Sequence, residues 1–230
     1  PAGVVGLRPG HNLAAADRFH VKVSGVGTHG ATPHRGNDPL PAAAEMVLAL
    51  QTLVSRRLNP LSPAVVSVCQ FQAGSAFNII PPTAEFRGTV RSVSSADREQ
   101  LRDQLHQVCL GVAQAHGLAA EVDYELAVPP TVTDPALTAL AAEAIAAVLE
   151  DPDALVEAQP SMGAEDFAFY LERCPGALLW IGCAPDAETA THLSLHDPCF
   201  VAAEECLETA ILSLVAVTLA YLDRSREASC

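Results

Sequence analysis

Positive charge is scarce in this sequence. Thirteen Lys and Arg stand against 27 Asp and Glu, a formal net charge of −14. Nucleic acids and acidic membrane surfaces are bound by clustered cations that displace counterions, so neither partner is expected. The seven cysteines (Cys69, Cys109, Cys174, Cys183, Cys199, Cys206, Cys230) include no Cys-x-x-Cys pair and sit mostly in apolar runs. They read as small buried hydrophobes in a reducing compartment, the cytoplasm, and not as a disulfide framework or a structural zinc site. No signal peptide opens the sequence, and no internal repeat or low-complexity segment interrupts it. The longest apolar run, Ala210 to Leu222, is broken by Ser213 and Thr218 and reads as too short to span a bilayer. The first residue is Pro1 and not Met, from which the chain is expected to begin downstream of a start.

What is present is a globular composition. Half of the 230 residues are apolar and 17% are charged, enough for the core of one large or two small domains. Between Arg18 and Leu126 the pattern is regular. Phe19, Val21 and Val23 alternate with polar residues as in a half-buried strand over 18–24. A helix is expected over about 39–57, with Asp38 as cap and Pro39 at its first position. Strands follow at Ala64 to Phe71 and Thr83 to Arg91, then a helix capped by Ser94 or Ser95 and closed by His116-Gly117, then a strand from Ala120 to Leu126. The order strand, helix, strand, strand, helix, strand specifies an antiparallel sheet covered on one face by two helices, a ferredoxin-like α+β unit.

Val128-Pro129-Pro130 marks a boundary, because paired prolines continue neither a helix nor a central strand. Beyond it, helices are expected at about Pro135 to Leu149, Ala164 to Glu172 and Ala202 to Leu222, with an apolar strand Ala177 to Ile181 buried on both faces in an α/β layer. The divisions are therefore 1–17, a lead-in segment; 18–127, the β-α-β-β-α-β unit; and 128–230, an α/β part.

Four clusters carry candidate chemistry. Gly25 to Pro39 places His29 and His34 in a loop whose Gly25, Gly27 and Gly30 can adopt backbone angles closed to other residues. A tight connection with two solvated histidines is the plainer alternative. Gly74 to Pro82 carries Asn78 just before a strand bearing Arg87 and Arg91, and an amide with a guanidinium can hold a carbonyl and a carboxylate. Turn and edge residues without a ligand would look the same. Ser161 to Phe167 offers Gly163, Glu165 and free backbone N–H groups at a helix start, either for an anion or as a helix cap. His192 to Pro198 sets His196 beside Asp197, a metal-ligand pairing or a structural one.

In order along the chain, Ala15-Ala16-Asp17-Arg18-Phe19, Thr28-His29-Gly30-Ala31-Thr32-Pro33-His34, Ala76-Phe77-Asn78-Ile79-Ile80-Pro81, Arg87-Gly88-Thr89-Val90-Arg91, Ser161-Met162-Gly163-Ala164-Glu165-Asp166-Phe167 and Leu195-His196-Asp197-Pro198 resemble the zinc-dependent amidohydrolases of the aminoacylase and glutamate carboxypeptidase superfamily. The branch they resemble is that of hippurate hydrolases and indoleacetyl-amino-acid hydrolases, over about Pro1 to Leu222. The resemblance implies a metal-binding α/β domain interrupted by a lid or dimerisation domain, a homodimer formed through the lid, and a small N-acyl amino acid as substrate. It also implies two divalent metals (Zn, Mn or Co) sharing a water that attacks the amide. By the same resemblance His196 is a metal ligand, His29 stabilises the oxyanion across the dimer, Asn78 and Arg91 grip the substrate's carbonyl or carboxylate, and His34 is demoted to supporting its loop.

The sequence departs from the family upstream. A Cys-Gly-His-Asp segment, a Glu-Glu pair and a further histidine have no counterpart, leaving one expected metal ligand of five. One histidine does not hold a catalytic zinc, which needs about three protein ligands plus water. The chain alone is therefore expected to bind no stoichiometric metal and to be inactive, with exposed apolar surface on its final helix. The alternatives are a non-catalytic dimerisation module, or half of an enzyme completed by a second chain.

Overall fold

Ten-residue strands of alternating apolar and polar residues lay down the larger sheet, and the elements around it follow from where that alternation stops. A computed structural model describes residues 1–186 and 195–227. In chain order these form β1 (Val5–Leu7), β2 (Gly10–Leu13), β3 (Ala15–Ser24), β4 (Thr28–His29), α1 (Pro39–Thr52), β5 (Ala64–Ala73), β6 (Ile79–Ile80), β7 (Thr83–Ser92), α2 (Ser95–Ala115), β8 (Ala119–Val128), β9 (Thr131–Thr133), α3 (Pro135–Ala146), β10 (Leu155–Glu157), α4 (Ala168–Leu171), β11 (Leu179–Ile181) and α5 (Glu205–Glu227). They divide into two units, one of residues 13–131 with 161–169, the other of 1–12, 132–160 and 170–230.

The first unit is an antiparallel sheet in the order β5-β7-β3-β8, as the element order required. Phe19, Val21 and Val23 on β3, and Ala84, Phe86 and Val90 on β7, face α1 and α2 and are buried with Met46, Leu50, Leu101 and Leu105. Each Val, Leu, Phe or Met side chain among them contributes about 1.5–3 kcal/mol when fully buried. The helix ends carry the expected caps. Asp38 accepts from the Leu40 N–H at 2.9 Å and Ser94 from the Asp97 N–H at 3.0 Å. At the far end of α2, His116 Nε2 lies 2.7 Å from Glu45 Oε2, so that histidine ties α2 to α1.

One position breaks the apolar pattern of β3. Asp17 is 1% exposed on the helix-covered face. It is paired there with Arg98 of α2 at 2.6 to 3.1 Å through both carboxylate oxygens, and also accepts from the Tyr124 hydroxyl at 3.1 Å and the Ala127 N–H at 3.2 Å. With its charge matched and its lone pairs filled, the carboxylate is tolerated where an unpaired one is not. The β3–β8 register shifts between Ala16 and Arg18, where this cluster sits. Burial, with the neighbouring Asp17 carboxylate, raises the Tyr124 phenol well above its ordinary value.

In the second unit β1 is the middle of a three-stranded sheet, parallel to β10 and antiparallel to β11. Val5 and Leu7 are buried with Ala141 and Ile145 of α3, against Leu155, Leu179, Ile181 and Val217.

Several elements differ from the sequence expectation. The helix expected over Ala164 to Glu172 is confined to Ala168–Leu171; before it, side chains bond the backbone locally, the Ser161 hydroxyl accepting from the Gly163 N–H at 3.0 Å and the Glu165 carboxylate from the Phe167 N–H at 3.5 Å. The strand expected at Ala177 to Ile181 is three residues long and half-buried, not covered on both faces. Cys69, Cys174 and Cys199 are exposed and not buried, Cys69 because it occupies a register shift in the edge strand β5. Helix α5 extends beyond the apolar run seen in sequence, and its Glu205–Arg224 stretch is long and apolar enough to cross a membrane by length and composition. The short strands β2, β4, β6, β9 and β10 carry no periodicity of their own and exist through their partners. His192 and Ser194 lie outside the described residues.

Candidate active-site loop

The histidine loop leaves β3 and folds against the segment before β7. β4 and β6 pair antiparallel, with Thr28 opposite Ile80 and His29 opposite Ile79. The Gly30 N–H donates to the Asn78 carbonyl at 2.8 Å, the Gly25 N–H to the Pro82 carbonyl at 2.8 Å, and Val26 and Asn37 exchange backbone bonds at 2.8 and 2.9 Å. Gly25, Gly27 and Gly30 do not use positive φ; among the described residues only Gly3, Gly10, Gly74 and Gly117 do. Close approach is what requires glycine here. A Cβ on Gly25 would overlap the Asn37 carbonyl oxygen, and one on Gly36 the Val26 carbonyl oxygen. The result is a stiff platform with no room to drift.

His29 is exposed on this platform, and its Nδ1 accepts from the Ala31 N–H at 3.1 Å. A neutral imidazole whose Nδ1 accepts carries its proton on Nε2, so the outward nitrogen is a donor. Its backbone is fixed as well, the carbonyl receiving the Thr32 N–H at 2.8 Å and the Thr32 hydroxyl at 3.2 Å. His34 sits in a single 3₁₀ turn, Pro33–Arg35, and is exposed. Asn78 is the third residue of a turn closed by the Ile79 N–H on the Ala76 carbonyl at 3.4 Å, its side chain exposed. His29 and Asn78 therefore share one end of the unit.

Arg91 does not. It lies near the other end of β7, paired with Ala16 of β3 and Val65 of β5, while the platform adjoins Thr83. Eight residues of strand separate those ends, about 26 Å at the usual rise. A small ligand cannot touch His29 and Arg91 of the same unit. Gly163 and Glu165 form a separate loop in this unit, whose Ser161 and Gly163 carbonyls both receive the Ala14 N–H at 3.1 and 3.0 Å. Glu165 Oε1 accepts from the Phe167 N–H at 3.5 Å.

Sequence reasoning passed over the open face of the sheet. A recess of about 510 Å³ lies there, lined among others by Arg18, His20, Arg87, Asp123 and Glu125. His20 Nε2 stands 2.7 Å from Glu85 Oε2. The alternation of charged residues along β3, β7 and β8 was the available signal.

His196 belongs to the other unit and is exposed in a turn; the neighbouring Asp197 carboxylate accepts the Cys199 N–H at 2.8 Å. Among the described residues, no three His, Cys, Asp or Glu side chains are grouped as a metal ion requires.

Residues 15–115 match the peptidase dimerisation domain family. The chain is 36% identical over 226 residues to N-acetyl-L-cysteine deacetylase of Bacillus subtilis, covering 98% of this chain and 52% of that protein. It is 30% identical over 218 residues to hippurate hydrolase of Campylobacter jejuni, covering 94% and 55%. The crystal structure of the YXEP protein of Bacillus subtilis, a dinuclear metal-binding peptidase of the M20 family, superposes with a TM-score of 0.78 at 30% identity, over 97% of this chain and 54% of that one. Residues 15–115 are an M20 dimerisation domain, and the chain's homologues and structural neighbours are M20 amidohydrolases and peptidases. The chain spans about half the length of these relatives. The dimerisation-domain match spans β3, β5 and β7 with α1 and α2, and β8 follows it in the same sheet.

Proposed function

We propose that this chain is part of a metal-dependent amidohydrolase that releases an amino acid from an N-acyl or N-aroyl conjugate. The observation that carries the reading is His29, held with its Nε2 proton outward on a stiff platform. Such a donor is suited to the oxygen that gains charge when an amide carbonyl is attacked, and its hydrogen bond strengthens as that charge develops. Asn78 beside it offers a second donor to the same oxygen. Arg91 supplies a fixed fork for the carboxylate of the amino-acid product. The separation of about 26 Å along β7 implies that His29 and Arg91 serve one substrate only when they come from two copies, which supports a homodimer formed through residues 15–115. Gly163 and Glu165 are proposed as further substrate contacts.

In this reading the complete enzyme holds two divalent ions, zinc, manganese or cobalt, with His196 the ligand contributed by this chain. Among the described residues the site for these ions is not assembled. The unit of residues 13–131 is the lid, and the second unit is part of the metal-binding domain. The free thiols among the described cysteines support a cytoplasmic setting.

The 230-residue chain alone is expected to show no amidase activity on hippurate or N-acetylcysteine with added zinc, manganese or cobalt. Activity from the purified chain would overturn its assignment as an incomplete enzyme. In the assembled, metal-loaded enzyme, His29→Ala should lower kcat by about 10²–10³, the usual cost of one oxyanion donor, with the thermal midpoint unchanged. An unaltered kcat would remove His29 from the reaction.

A second reading is favoured by the match of residues 15–115 to a dimerisation domain: the chain as it stands is a non-catalytic dimerisation module. Native mass spectrometry with metal analysis separates the two, a metal-free stable dimer being the module's signature.

A further inference from the structure

Phe77 stands against the ordinary rules of burial. It is fully exposed, at 103% of its reference area, whereas Phe19 and Phe86 are buried. Leaving such a ring in water forgoes about 1.5–3 kcal/mol of burial. The turn that carries it has no need of it, since Phe77 and Asn78 are the two central residues between the Ala76 carbonyl and the Ile79 N–H, a place most residues accept.

The position of Phe77 is not independent of His29. Asn78 is bonded through its carbonyl to Gly30, and Ile79 lies opposite His29 in the β4–β6 pair. Whatever brings the Nε2 proton of His29 to an amide oxygen brings Phe77 with it. The surroundings are apolar: Ile79 is 55% exposed and Val26 57% exposed on the same two loops. Residues 74–82 contain no charged side chain, and residues 25–37 contain only Arg35 besides their two histidines.

We propose that Phe77 contacts the acyl group of the substrate, so that this platform favours aromatic over acetyl conjugates. The inference rests on His29 acting at the scissile carbonyl. That carbon bears two arms. The amino-acid arm ends in a carboxylate, for which Arg91 at the other end of a lid is the cation, and it has no counterpart on the turn. The acyl arm is uncharged and, when aromatic, gains most from a flat apolar partner held 4.5–7 Å away.

The test is equilibrium binding of hippurate and of N-acetylglycine to the assembled, metal-free enzyme that contains this chain, followed through the NMR signals of the His29 ring and the Phe77 ring. Wild type, Phe77→Ala and Phe77→Leu are compared. Because the ring touches no core, all three should share one thermal midpoint, which also checks folding. Phe77→Ala should weaken hippurate about tenfold, within the range that apolar contacts discriminate, and leave N-acetylglycine within about twofold, with Phe77→Leu between. If His29 responds to both ligands but Phe77→Ala weakens them equally or not at all, the assignment of Phe77 is wrong and the amidohydrolase reading stands. If neither ligand moves the His29 signals in wild type, the role of His29 falls and that of Phe77 with it.

Discussion

Asp17 shows how one residue can be both a fault in a pattern and a support of the fold. In sequence it interrupts an apolar face; in space it holds Arg98, Tyr124 and the Ala127 N–H together. Asp17→Ala leaves the Arg98 guanidinium, 11% exposed, without its partner. We expect a loss of about 3–5 kcal/mol in urea unfolding. Asp17→Leu combined with Arg98→Met removes both charges and should recover most of it. Cys109 makes a separate prediction. Burial pushes its thiol up from 9.0 to about 12. Below pH 9 the folded and unfolded chains both hold that proton. Between 9 and 12 only the folded chain does, so stability should fall as pH rises, by about 1.4 kcal/mol per unit from this group. Urea midpoints across that range should lose this slope in Cys109→Ala.

At the scale of elements, the platform depends on two backbones coming closer than side chains allow. Gly25→Ala or Gly36→Ala must push the His29 loop away from Asn37 or Val26. Hydrogen exchange of the Gly30 and Asn37 amides should rise sharply in either variant, while amides of β3 and β7 stay protected. The four long strands and α1, α2 and α3 were legible because period-two patterns ran for seven residues or more and period-3.6 patterns for longer, and Asp38 and Ser94 announced helix starts. The pairs β4–β6 and β2–β9 were not legible. Strands of two to four residues show no period, and their existence is decided by a partner some fifty or more positions away. The candidate site was partly visible for the same reason: His29, Asn78 and Arg91 stood out singly, but only the register of β7 reveals that Arg91 is far from the other two. The proton position on His29 was invisible, since it depends on the direction of the Ala31 N–H. Phe77 looked like part of a motif, and its exposure gave it a meaning of its own.

At the scale of the whole molecule, α5 carries much apolar surface in water. Leu207, Ile211, Leu214, Val215 and Leu219 are each more than half exposed. Surface of this kind promotes self-association. The chain should lose monodispersity in light scattering as concentration rises, and Leu214→Glu with Leu219→Glu should restore it without lowering the unfolding midpoint. The unit of residues 13–131 has a different character. It enters on β3 and leaves on β8, and those strands are neighbours, with Ala16 paired to Val128. Its two ends thus lie about 5 Å apart. The chain arrives and departs through one doorway. The 161–169 loop is the part of this unit that lies outside that doorway, bonded to it by the Ala14 N–H on the Ser161 and Gly163 carbonyls; residues 14–130 without that loop can be spliced into a surface loop of an unrelated host without stretching it.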